Sequence, residues 1–215
     1  MADRQRPRDA ATLILVRRDS GPFRILMGQR HGGHAFMPNK YVFPGGRLDA
    51  SDGRIKPSRD LDPAVLAKLM ARSGPRPSAA RARAFAIAAL RETFEETGLL
   101  FGRNDPASAP DLSPLVYFAR AITPPGRTRR FDSRFFVADA VHVGNLDNPC
   151  HTGSQELLTP AWFTLEETLG LDLPSITKDI LRRLRPFLDE ARLPGAGCPV
   201  CFQYSRRKTW VEETI

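Results

Sequence analysis

Two apolar, β-branched runs open the chain, ATLILVRRD at 11–19 and FRILMGQR at 23–30. The turn-like SGP at 20–22 separates them, and together they predict a β-hairpin. The loop HGGHAFMPNK follows, and a third strand-like run, YVF, stops at PGG. From Gly46 to Pro77 the chain is polar and broken by proline, with one short helix predicted inside 62–74, where Asp62 would cap and Pro63 would stand first. A strong helix is predicted from about Ser78 to Thr97, rich in alanine, arginine and glutamate, with Gly98 placed as a left-handed cap. PLVYFARAIT, RFDSRFFVADAV and ELLTPAWFTL read as further strands, and TKDILRRLRPFLDEAR as an amphipathic helix. The end, LPGAGCPVCFQYSRRKTWVEETI, reads as irregular. Strands, helix, strands, helix make this an α/β (α+β) chain with one mixed sheet and flanking helices. The expected organisation is a single domain over 1–192, an insert at about 53–77, and a tail at 193–215 with no assigned role.

Composition narrows the class. At 215 residues the chain can bury one full core, and no apolar run approaches the length of a membrane helix. The amino terminus is charged and lacks the apolar stretch of a secretory signal, so a cytoplasmic protein is expected. Three cysteines, Cys150, Cys198 and Cys201, are too few and odd in number for a disulfide framework. The formal charge of +8 favours an anionic partner, or else a basic surface of no special use. No basic stripe interleaved with aromatics is present, so nucleic acid is not the expected partner.

Against that charge, ALRETFEETGLL at 89–100 gathers Glu92, Glu95 and Glu96. On a helix these positions share a face, while Ile87, Leu90 and Phe94 fall opposite and can pack on the sheet. The three carboxylates are expected to point together away from the core. Their mutual repulsion and the negative end of the helix both oppose the arrangement. A divalent cation answers both objections, and an oxygen-only donor set suits Mg2+ or Mn2+. The alternative is a solvated acidic face partly neutralised by Arg91. FPGG at 43–46 adds two glycines at a strand end, where backbone can approach a ligand closely.

Gly46, Asp52, and the run Arg91-Glu92-x-x-Glu95-Glu96-x-Gly98 resemble the Nudix box of hydrolases that cleave a nucleoside diphosphate linked to another moiety. Three features depart from the usual box. Asp52 stands where glutamate is common, Thr93 where a large aliphatic residue is common, and residues 53–90 make a spacer of 38 instead of seven. The spacer resembles the long-insert branch that includes the peroxisomal coenzyme A diphosphatases. Gln29-Arg30, Phe36-Met37-Pro38, Val42 to Gly46, Leu48-Asp49-Ala50, and Arg129 to Asp132 with Phe135-Phe136 carry that likeness, over roughly residues 10–165.

The resemblance implies a mixed β-sheet sandwiched between α-helices. It implies Mg2+ (or Mn2+) on Glu92, Glu95, Glu96 and the Gly45 carbonyl, with Arg91 orienting the glutamates. It also implies metal-assisted attack of water on a diphosphate. The general base is left between Glu92 and Glu156. Arg30, Gly46, Arg127, Arg129 and Arg130 are the expected substrate contacts, the loop arginines being solvated charges in the alternative. Coenzyme A or an acyl-coenzyme A is the favoured substrate. ADP-ribose, a dinucleotide, or non-catalytic nucleotide binding by a regulator are the alternatives. Relatives of this kind are often dimers, so a homodimer is an expectation too. CPVC at 198–201 has zinc-knuckle spacing but supplies two ligands, with Cys150 and His151 able to contribute only if the tail folds back.

Overall fold

A computed structural model of the chain describes residues 5–18, 21–33, 37–74, 77–153, 156–207 and 209–215. His34 and Phe36 lie outside the described residues, as does part of the first predicted turn. Among the described residues nine strands form one sheet: β1 (Arg8–Arg17), β2 (Arg24–Arg30), β3 (Tyr41–Val42), β4 (Gly45–Arg47), β5 (Val116–Ile122), β6 (Phe131–Asp139), β7 (Leu157–Thr164), β8 (Cys201–Arg206) and β9 (Thr209–Thr214). The helices are α1 (Pro63–Met70), α2 (Ala79–Thr97), the single turn α3 (Leu165–Thr168) and α4 (Ser175–Asp189).

β1 sits in the middle of this arrangement, and its composition explains why. It runs parallel to β6 over nine paired residues, from Arg8↔Phe131 to Val16↔Asp139. Leu13 and Leu15 enter the core beneath α1 and α2, whereas Ile14 and Val16 enter the core beneath α4. A strand covered on both faces reads as an unbroken apolar run, as LILV does. The predicted hairpin forms, but β1 and β2 pair only at Val16↔Ile25 and Arg17↔Arg24. Beyond that point the strands part, and β4 takes the β1 edge through Ala10↔Arg47, Ala11↔Gly46 and Thr12↔Gly45. β3 continues along β2 at Gly28↔Val42 and Gln29↔Tyr41, with β7 on the opposite edge of β2.

The helices form where their ends are signalled. The Ser78 side chain accepts from the Arg81 N–H, and Gly98 closes α2 with φ +74°. Alanines at 82, 84, 86, 88 and 89 are buried, which lets α2 lie close to the sheet. The Asp62 side chain accepts from the Ala64 N–H at the start of α1, and Pro63 is its first residue, as expected. α4 buries Thr177, Ile180, Leu181, Leu184 and Leu188, one stripe of a 3.6-residue period.

The carboxyl-terminal segment departs from expectation. It is not irregular: β8 adds to the sheet parallel to β5, and β9 returns antiparallel to β8. The insert holds it there. Lys68 of α1 donates through Nζ to the carbonyls of Ala196 and Cys198, both at 2.7 Å. Arg72 pairs with Glu213 at 2.6 Å, and the Arg120 guanidinium lies 4.4 Å from the Phe202 ring centroid. Among the described residues, no helix is long and apolar enough to cross a membrane.

Candidate active site

The glutamates lie where β1 and β2 part, between the last two turns of α2 and the β3–β4 connection. Their environments differ sharply, and the expectation that all three point to solvent is corrected. Glu96 is 8% exposed and accepts from the Gly45 N–H through Oε2 at 2.8 Å. The Glu92 side chain is 13% exposed, against 50% for Glu95. The reason is β4, which covers the Glu92–Glu96 side of the helix. The two approach closely because residue 46 is a glycine: a Cβ there would stand 2.4 Å from the Glu92 carboxyl carbon and would push that side chain aside. Thr93 is fully buried and returns its hydroxyl to the Ala89 carbonyl at 2.7 Å. Phe94, expected against the sheet, is half-buried with the Arg103 guanidinium 5.7 Å from its centroid.

Arg91 ties the cluster together. Its Nη1 donates to Glu92 Oε1 and to Glu95 Oε2, each at 3.0 Å. Its Nε and Nη2 donate to the two oxygens of Asp52, at 2.9 and 3.2 Å, and Nη2 also reaches the Arg47 carbonyl at 2.9 Å. Burial works against the guanidinium charge, yet Asp52 and Glu92 outweigh it and hold its pKa above the usual value. One planar donor set thus fixes two glutamates, β4 and the residue before the insert.

Burial is also the main force on the acids. It raises Glu92, with Arg91 opposing and Glu95 and Glu156 adding to the rise. Glu96 is pushed up to about 8, chiefly by burial, against the Gly45 N–H and the Arg30 charge and with help from Glu92 and Glu156. Glu156 and Arg30 are therefore close enough to act on Glu96. The ladder explains the meeting: Arg30 ends β2 opposite Leu157, and the His31 N–H donates to the Glu156 carbonyl at 3.3 Å.

The remaining expected contacts are elsewhere. Arg127 and Arg129 are exposed on the β5–β6 connection. Arg130 is spent on backbone, donating to the carbonyls of Thr123 at 3.0 Å and Gln5 at 2.8 Å. Cys198 and Cys201 flank the entry to β8, whereas the Cys150 N–H docks on the Gly98 carbonyl at 3.0 Å. Among the described residues, no three His, Cys, Asp or Glu side chains converge as a ready metal cage. Glu92 and Glu95 turn to Arg91, and Glu96 to the Gly45 N–H.

The split sheet with a box helix across it matches known structures. A Nudix hydrolase from Alicyclobacillus acidocaldarius superposes with a TM-score of 0.64 at 25% identity, covering 83% of this chain and 91% of that one. The fold is that of the Nudix hydrolases. Among curated proteins the chain is 34% identical to an acyl-coenzyme A diphosphatase of Gallus gallus, over 48% of this chain and 35% of the relative. It is 32% identical to a Caenorhabditis elegans protein named as nudix hydrolase 7, over 60% of this chain and 43% of the relative. The match thus spans less than half the length of either relative, and no family model matches. This Nudix-fold chain is thus similar to a coenzyme A diphosphatase over about half of its own length.

Sequence reasoning missed a support at the end of the box helix, the connection from Val143 to Gly153. Asn145 Oδ1 accepts from the Leu100 N–H at 2.7 Å, and its Nδ2 donates to the Gly98 carbonyl at 2.9 Å. In the sequence, GNLDNP carries only the signature of a turn.

Proposed function

We propose that this protein is a divalent-metal-dependent hydrolase that cleaves the diphosphate linkage of a nucleoside diphosphate derivative, with coenzyme A or an acyl-coenzyme A as the favoured substrate. The observation that carries the proposal is the Arg91-organised glutamate cluster, with a desolvated Glu96 whose ionisation is costly. Carboxylates that repel one another, Glu96 buried and Glu92 largely so, with oxygen donors only, are the chemistry that suits Mg2+ or Mn2+. Glu92, Glu95, Glu96 and the Gly45 carbonyl would hold the ion. Bound there, it would neutralise the diphosphate and lower the pKa of a coordinated water.

The chain's own residues supply the rest. Arg91 keeps Glu92 and Glu95 from separating, and Asp52 keeps Arg91 in place. Arg30, at the end of β2, offers a cation to the substrate phosphates. Glu156, beside Arg30 and within electrostatic reach of Glu92 and Glu96, takes the proton of the attacking water, with Glu92 as the other acceptor. The coenzyme A preference rests on the curated acyl-coenzyme A diphosphatase, whose own substrate is named in its description.

The test is to mix purified protein with coenzyme A, ADP-ribose and a dinucleotide, with and without Mg2+, and to identify products by mass. Glu96→Gln is run beside it. Metal-dependent release of 3′,5′-ADP and phosphopantetheine, lost in the variant, is the expected result. Cleavage of the other substrates alone would keep the hydrolase and discard coenzyme A. Tight nucleotide binding without turnover would make the protein a binding module.

A further inference from the structure

The face of the sheet away from α2 carries a groove with a chemistry of its own. α2 packs with Leu13 and Leu15, whereas α4 packs with Ile14 and Val16 on the other face. Between α3 and α4, on that second face, lies a groove of about 340 Å³, at the small end of the range for ligand pockets. Leu165, Leu173 and Leu181 form its floor and are buried. The Thr168 hydroxyl is turned inward, donating to the Leu165 carbonyl at 2.6 Å, so it offers the groove no free polar atom. Leu169 stands at the rim, 76% exposed.

Among the described residues, the charged side chains that line the groove are all cationic and all come from α4: Lys178, Arg182 and Arg185. Spaced i, i+4 and i+7, they share one side of the helix over about 10 Å. Two of them are already engaged. Arg182 pairs with Asp179 on its own helix, and Arg185 donates to Glu166 Oε1 at 3.1 Å, joining α4 to α3. Lys178 enters no ion pair among the described residues. It also stands near the amino end of α4, where the helix dipole opposes a cation.

An apolar floor with an unpaired cation at its edge suits a ligand that is apolar along its length and negative at one end. A small anion would leave Leu169 in water, and a neutral hydrocarbon would leave Lys178 without a partner. A peptide helix is too large. Two turns, about 10 Å across, occupy about 800 Å³, more than twice the groove, and the Arg185–Glu166 pair already joins the two walls. We propose that the α3–α4 groove binds a single-chain amphiphilic anion of the fatty-acid carboxylate class, with its chain along the leucines and its headgroup at Lys178. The site lies across the sheet from α2 and does not depend on the hydrolase reading.

Calorimetric titration of the intact chain with dodecanoate, kept below its micelle concentration, tests the proposal. Dodecanol, acetate, and phosphatidylcholine vesicles with and without phosphatidylserine are the comparison probes. One dodecanoate should bind per chain. Dodecanol and acetate should each bind at least about tenfold more weakly, since one lacks the charge-assisted contact and the other the buried chain. Lys178→Gln should weaken dodecanoate about tenfold and leave dodecanol unchanged, whereas Leu169→Ser should weaken both about tenfold. Both side chains are exposed, so Tm should stay close to that of the unaltered protein and separate lost binding from lost folding. Dodecanol binding as tightly as dodecanoate, or full affinity retained in either variant, would overturn the proposal. So would the absence of binding by dodecanoate. Binding to phosphatidylserine vesicles without binding to free dodecanoate would overturn it too, and would make the groove a membrane contact.

Discussion

Arg91 and Asp52 meet across 39 residues of sequence, the guanidinium gripping both oxygens of a carboxylate that is wholly shielded from water. The pair locks the end of the β4 loop onto the box helix, and the entire insert lies between its two members. Its position explains how a long spacer can be accommodated: the insert leaves and re-enters the fold on either side of a fixed ion pair.

Asp52→Ala should therefore be costly. Removing one member of a buried pair strands the other charge, which typically costs about 3–5 kcal/mol. Urea unfolding would measure the loss, and metal affinity should fall with it because Arg91 would no longer hold Glu92 and Glu95. A loss below about 1 kcal/mol would mean that water reaches Arg91 freely.

What the sequence revealed and what it concealed have separate physical causes. α2 was legible because its cap, its alanine-rich face and Gly98 all agree with one another. The glutamate cluster was legible for the same local reason, since helical spacing fixes which side chains are neighbours. The burial of Glu96 was not, because it depends on β4, a three-residue strand written as Gly-Gly-Arg with no apolar signal. β8 and β9 were hidden for another reason. Their turn runs through Arg207 at φ +51°, with none of the Gly, Asn or Asp that normally marks a two-residue hairpin.

Glu96 gives the metal-free protein a pH dependence with a definite sign. Unfolded, this acid ionises near the ordinary 4.5, whereas burial holds it to about 8 in the fold. Between those values the native state keeps a proton that the unfolded chain has released, so stability falls as pH rises through that window. Thermal unfolding with a chelator present should show Tm declining from about pH 5 to pH 8, and Glu96→Gln should flatten the decline. Added Mg2+ should raise Tm most at the alkaline end, where the site is ionised. An unchanged slope in Glu96→Gln would show that another group titrates.

The contact between insert and carboxyl-terminal strands predicts a second stability effect, far from the glutamates. The Lys68 ammonium serves two carbonyls of the segment that enters β8. Lys68→Met keeps the apolar stem and removes the donors, and should cost about 1.5–3 kcal/mol, the range for hydrogen bonds to a charged group. Hydrogen exchange should show β8 and β9 losing protection before the β1–β6 pair does. Uniform loss across the sheet would mean that the insert and these strands do not form a local unit.

The arginines separate by placement rather than by charge. Arg30 ends β2 beside the glutamates and holds Glu96 below where burial alone would put it. Arg127 and Arg129 stand exposed on a loop that returns to the sheet at Arg8↔Phe131. That register is three residues, or about 10 Å, along the strands from Ala11, the partner of Gly46. Arg30→Ala should raise KM for the diphosphate substrate about tenfold, the value of one charge-assisted contact. Arg127→Ala and Arg129→Ala should leave kcat/KM within about twofold, since a solvated charge at that range is largely screened. Arg130→Ala should act on Tm instead, because its guanidinium bonds the Thr123 and Gln5 carbonyls and joins the loop to the start of β1. Steady-state kinetics on the four variants, with Tm for each, would decide. A large KM effect at Arg127 or Arg129 with Tm unchanged would move the substrate across the β5–β6 loop and require a longer ligand than the glutamate cluster alone implies.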